Sequence, residues 1–260
     1  LDGLIKDTFA QLPASLAGLH AVAALVTAFR GDRQSAIEHL RAAGQIARSG
    51  VEDHYLMIYA DLATAVLAAW DADDAVVERS MDAAISGASA VGAANLLRVC
   101  ELVADLAGHQ FSPPDATMLE RAARLPFVDS QLAVRSARRL VDLGDHDGAA
   151  RMITNVAVNE LALSSWVHVL LDRHSAAEVR SWLSAQPAPS CPHAQVVRSL
   201  AEATLADDPA TAVQLVRSAV AVASEQRMVG VVADAPAAMW EREEIRRLDL
   251  PLLNDARRRL

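Results

Sequence analysis

In the stretch VDLGDHDGAARM, Asp145, Asp147 and Gly148 have the types and spacing to suggest a calcium loop. An EF-hand loop needs oxygen ligands at positions one, three, five and twelve, with glycine at six. With Gly148 sixth, position one falls on Leu143 and position twelve on Thr154. Neither side chain supplies the carboxylate that a hard cation demands. The stretch therefore reads as a turn: Gly144 ends one helix at positive φ, and Asp145 or Asp147 caps the next.

Other reactive residues are equally unaccompanied. Of eight histidines, none pairs with another at the i, i+4 spacing of a helical zinc site. Cys191 and His193 lie close together, but no CxxC or second ligand pair joins them, so they read as loop residues. Asp73 and Asp74 sit where helix capping explains them. No GxSxG elbow, glycine-rich dinucleotide fingerprint or GxxxxGK[ST] phosphate loop is present. The sequence predicts a protein that is not an enzyme and needs no metal or cofactor.

The chain's 260 residues are 52% hydrophobic but only 4% aromatic. Its core must come from alanine, leucine and valine, which favours close-packed helices over sheets. A formal charge of −9 argues against direct nucleic-acid contact, which needs a basic face. Cys100 and Cys191 alone make no disulfide framework and fit a reduced, cytoplasmic setting. The longest apolar run, Leu16 to Phe29, is broken by His20 and too short to span a membrane. The chain begins at Leu1 without a signal peptide, and is expected to be one domain, residues 1–260, of a longer protein.

Read for periodicity, the chain is a series of helical hairpins. The pairs are LAGLHAVAALVTAF with SAIEHLRAAGQIARS, stopping at Gly50; Tyr55–Trp70 with AVVERSMDAAISGASAVG; and AANLLRVCELVADLAG with MLERAARL. Then come SQLAVRSARRLVDL with GAARMITNVA, ELALSSWVHVLLDR with SAAEVRSWLSA, and AQVVRSLAEATLAD with PATAVQLVRSAVAVASEQ. Ser175 is expected to cap, Pro209 to start a helix, and QPAPSCP to be extended. A small residue recurs in the second helix, five after a glycine in Gly31/Ala36 and Gly144/Ala149; Asp172/Ala177 and Asp207/Ala212 keep the small residue only. The predicted fold is an all-α, tetratricopeptide-like superhelix, an α-solenoid with repeats of about 40 residues rather than the common 34.

The last third narrows the family. After AVASEQRMVG come VVADAPAAMWE and DLPLLNDARRRL, with Gly230, Val231, Val232, Asp234 and a helix around Met239 and Trp240. This order resembles the end of the helical-repeat sensor domain in MalT-like regulators, the large ATP-binding LuxR-type (STAND) transcriptional activators. CELVADLAG, Cys100 to Gly108, is similar to a repeat helix of its actinobacterial members. The resemblance implies a sensor arm between an ATPase and a DNA-binding domain that lie outside this sequence. Such an arm binds a small inducer or a regulatory protein to release autoinhibition; a di- or oligosaccharide is the first inducer to expect.

Aligning the hairpins on their small residues selects first-helix positions that would line a concave groove: Asp61, Asn95, Arg98, Gln131, Arg138, Asn159 and Trp166. Amides and charges there would hold ligand hydroxyls, with Trp166 stacking; Tyr55 and Tyr59, four apart, offer a second platform. Packing roles compete with each assignment. The tyrosines and Trp166 would then be core residues, while Arg98 and Arg138 would pair with Glu101 and Asp142 at helical spacing. Trp70, Trp182 and Trp240 read as packing. The rivals to a small-molecule sensor are a peptide- or protein-binding scaffold and self-association through the first hairpin.

Overall fold

The computed structural model describes residues 13–48, 54–113, 115, 117–154, 156 and 160–260. These residues contain sixteen α-helices, one short 3₁₀ turn and no strand. By internal packing the chain forms two compact units, Leu1–Val128 and Asp129–Leu260.

The first unit holds α1 (Pro13–Phe29), α2 (Arg33–Ala47), α3 (His54–Asp71), α4 (Asp74–Ala90), α5 (Ala94–Ala107) and the one-turn α6 (Thr117–Glu120). Helix α1 packs on α2 and also on α3; α3 packs on α4 and also on α5. Neighbours in sequence thus pair as hairpins, and first helices also meet one another. Small residues permit the close approach: Ala17, Ala21, Ala36 and Ala43 are all but fully buried. A Cβ on Gly87 would sit 3.0 Å from Ile58 Cγ1, so α4 crosses α3 tightly enough that a larger residue there would push the Ile58 side chain aside. Two polar contacts pin the stack. Trp70 Nε1 donates to Ala28 O at 2.8 Å, and Arg33 grips both oxygens of Asp71 at 2.7 Å. His20 and His39 meet through their Nδ1 atoms at 2.9 Å, joining α1 to α2.

The second unit holds α7 (Pro126–Asp142), whose first turn lies at the boundary, and α8 (His146–Ile153). After a 3₁₀ turn at Glu160–Ala162 come α9 (Leu163–Arg173), α10 (Ala176–Ala185), α11 (Pro192–Leu205) and α12 (Pro209–Gln226). Four short helices close the chain: α13 (Val229–Ala233), α14 (Ala237–Glu241), α15 (Glu243–Arg246) and α16 (Pro251–Arg257). Ala137, Ala149 and Val169 bind α7, α8 and α9 into one apolar contact. Helix α9 packs on α11, α11 on α12, and α13 on both α11 and α16.

The predicted all-α class and most hairpins are present. Asp145 is the residue that caps α8, its Oδ1 accepting from Gly148 N–H at 2.8 Å, and Gly144 takes φ +80° to turn the chain. Ser175 and Glu178 form a full capping box on α10. Two expectations need correction. MLERAARL is helical only over Met118–Glu120: Arg121 turns, and residues 122–125 are irregular, with Ala123 N–H tied to Asn95 Oδ1. Pro126 disfavours helix in the residue before it and opens α7 four residues ahead of the expected Ser130. Ala177 is exposed, so it is not the close-packing residue of its hairpin; Val179 and Leu183 are buried instead. The expected stop at Gly50 lies outside the described residues.

Asp145 satisfies a backbone donor that α8, only two turns long, has no other way to pair. Asp145→Ala should therefore lower unfolding free energy by about 1 kcal/mol, with Asp145→Asn retaining most of it. Urea denaturation with and without millimolar calcium checks both points; the turn reading expects no calcium effect.

Candidate functional site

The second unit brings several polar side chains together around Asp234. Gln131, Arg135 and Arg138 recur at four- and three-residue spacing, so they share one face of α7. Ser164 and His168, four apart, share a face of α9 in the same way. Both faces meet Asp234, which ends α13 immediately after the last long hairpin. Arg138 Nη1 lies 2.7 Å from Asp234 Oδ1, and Ser164 Oγ donates to Oδ2 at 2.6 Å. His168 Nε2 lies 3.0 Å from the Asp234 carbonyl. A carbonyl only accepts, so Nε2 carries the proton.

Charge and burial explain the protonation states. Burial pushes the Asp234 carboxyl up, but Arg138, the Ser164 hydroxyl, His168 and Arg135 outweigh it and hold the group below the usual carboxylate range. Although crowded by protein, Asp234 keeps 39% of its side-chain surface in solvent, which screens its ion pair. Burial and then the Arg138 charge push His168 down, against the opposing pull of Asp234. Burial, with Arg138 nearby, lowers the Arg135 guanidinium to about 10, so it stays charged at neutral pH. His193, 5% exposed at the start of α11, is pushed down to about 4 by burial and by Arg135.

Beside this network runs a narrow cleft. Its walls are Val167 from α9, Val197, Leu200 and Ala201 from α11, and Val231 from α13 with Ala235 and Pro236 after it; Ser164 and Asp234 are the polar groups on its lining. It encloses about 220 Å³ counted out to open solvent, but the space that admits the centre of a water molecule is about 10 Å³. That is room for about one water. Among the described residues, no three histidine, cysteine or acidic side chains stand close enough to hold a metal.

The other groove candidates are dispersed or engaged in packing. Arg138 belongs to the network, with Asp234 as its partner rather than Asp142, its neighbour at helical spacing, because the fold brings that carboxylate onto the Arg138 face of α7. Arg98 does pair with Glu101, as its spacing predicts. Gln131 is 3% exposed and its Nε2 meets no acceptor. Trp166 is 6% exposed in the core, its ring tilted against Trp182 at 6.2 Å, and its Nε1 also lacks an acceptor. In the first unit, Asn95 Oδ1 accepts from Ala123 N–H at 2.8 Å and so ties down the segment after α6. Asp61 is half-buried, which pushes its carboxyl up. Tyr55 is 50% exposed, whereas Tyr59 packs on Ala17, Ala21 and Leu56; burial, then Tyr55, raises the Tyr59 phenol. Asn159 lies outside the described residues.

Sequence reasoning missed Arg135, Ser164, His168 and His193 as site residues. The helical spacings within α7 and α9 were a usable signal; the link across some seventy residues to Asp234 was not, since Ser164 and Asp234 are 70 apart. Cys191 and His193 are not loop residues: both are buried, at the cap and first turn of α11. No family model, curated protein or solved structure matches this chain.

Two measurements follow from the network. In a double-mutant cycle, Arg138→Gln and Asp234→Asn should show a coupling of about 1–2 kcal/mol, reduced from the fully buried case by solvent. His193 is held neutral down to about pH 4, whereas an unfolded histidine titrates near 6.5. Its contribution is thus complete above 6.5 and is lost as pH falls to about 4, by roughly 3 kcal/mol. Urea melts across that range should show a shallower decline for His193→Gln.

Proposed function

We propose that this chain is the ligand-sensing arm of a MalT-like transcriptional regulator, a tetratricopeptide-like helical repeat that binds a small neutral inducer and performs no chemistry. The observation that carries the reading is the Asp234 network. The segment following the last long hairpin is tied by Arg138, Ser164 and His168 to two earlier helices, next to an apolar cleft. A ligand entering there would act on the place where the repeats meet the C-terminal helices. Packing of α1 on α3, α3 on α5 and α9 on α11 supports a repeat arrangement within each unit.

In the full-length regulator, inducer binding would favour one arrangement of this arm and thereby release an ATPase and a DNA-binding domain carried elsewhere. A sugar fits the required chemistry, since hydroxyls can donate to Asp234 while a C–H face lies on valine and leucine. The arm itself, at a net charge of −9, would make no direct nucleic-acid contact. Among the described residues no helix is long and apolar enough to cross a membrane; the arm would work in the cytoplasm.

Calorimetric titration with disaccharides and malto-oligosaccharides tests the reading. One sugar should bind saturably, and narrowing the cleft by Ala201→Leu, which leaves the Asp234 contacts in place, should weaken it about tenfold or more. Absence of heat from every sugar would overturn the sugar inducer.

A further inference from the structure

We propose that the Arg138–Asp234–Ser164 contacts are a latch that keeps the α13 segment shut over the cleft, and that the cleft admits the neutral part of a ligand that lays an apolar face on its walls and offers one hydroxyl to Asp234. This rests on the sensor reading and specifies what the site admits and how it opens.

The latch is argued from what each wall contributes. Helices α9 and α11 pack on each other and form a continuous wall; α13, five residues long, forms the opposite one. So short a helix has little intrinsic stability, and its position depends on the groups that hold it. Val231 and Val232 give it an apolar grip, α11, α12 and α16 pack against it, and Asp234 gives it three polar contacts to α7 and α9. Those contacts are directional and partly wet, so they are the ones a competing hydrogen-bonding ligand can replace. The valine contacts are not. With room for about one water, the cleft admits a larger molecule only when α13 moves outward, carrying α16 with it.

The ligand class follows from the lining. Seven apolar side chains offer no hydrogen bond, so the part of the ligand that enters must present an apolar face. Asp234 is an ionised acceptor on the lining, which disfavours a carboxylate or phosphate ligand. The adjacent Arg135 and Arg138 disfavour an ammonium group that would have to reach the same carboxylate. A hydroxyl suits both constraints: it donates to Asp234 in place of Ser164 or Arg138 without bringing a charge. Binding would thus be paid for by opening, and loosening the latch should raise apparent affinity in proportion to the open fraction.

Hydrogen exchange and a fluorescent probe set test this on the whole chain. Arg138→Gln should accelerate exchange of the Val229–Asp234 amides roughly ten- to hundredfold while α11 and α12 keep their protection. Ser164→Ala, a milder change, should do so less. The same variants should bind 1-naphthol about tenfold or more tightly than the unaltered protein, with naphthalene weaker and 1-naphthalenesulfonate weakest. Unchanged exchange at Val229–Asp234, or equal acceleration across α11 and α12 in both variants, would sink the latch. A faster-exchanging segment that binds the sulfonate as well as the naphthol would overturn the ligand class. Neither result depends on the sugar titration, so the latch and the sugar reading can fail separately.

Discussion

Everything in this structure depends on helices approaching closely across small side chains. With few aromatics to fill space, the core is built from alanine, valine and leucine, and such side chains give useful dispersion only at short range. Ala17, Ala21 and Ala36 let α1 settle on its neighbours, and Gly87 lets α4 meet Ile58. The turns must then be tight. Gly31 and Gly144 supply the left-handed backbone that reverses the chain, and Ala72 does the same at φ 63° despite its Cβ.

The second unit adds a polar problem to this packing. Its inner helices bury Arg135, Arg138, His168 and His193 to varying depths, and each charged group costs desolvation unless another compensates it. Asp234 supplies the negative charge, while His168 and His193 stay neutral and so avoid adding more positive charge. A half-exposed carboxylate from late in the chain thereby balances charges on helices formed much earlier. This dependence makes the C-terminal helices an integral element of the second unit rather than a trailing extension.

Helix positions were largely legible because they are set locally. Capping residues such as Asp32, Asp73 and Ser175, glycine turns and the apolar period each act within a few residues. The failures were also local in origin. The segment MLERAARL has helical composition, but Pro126 restarts the chain, and Ala177 has the right type at an exposed position. The site was legible only in fragments. Hairpin alignment puts Arg138 on an inward face and Asp234 just after the last long hairpin, but nothing local pairs the two.

Composition, periodicity and capping chemistry settled the all-helical class, most helix boundaries and the lack of familiar catalytic motifs, since these depend on side-chain type and spacing along one chain. Which polar groups meet was decided by packing. Arg138 could pair with Asp142 one turn away, yet it pairs with Asp234 because the fold brings that carboxylate into a partly dry setting. There a charge–charge contact is worth more than one in water. The cleft is likewise a property of three segments from separate parts of the chain, and no local pattern encodes the gap between them.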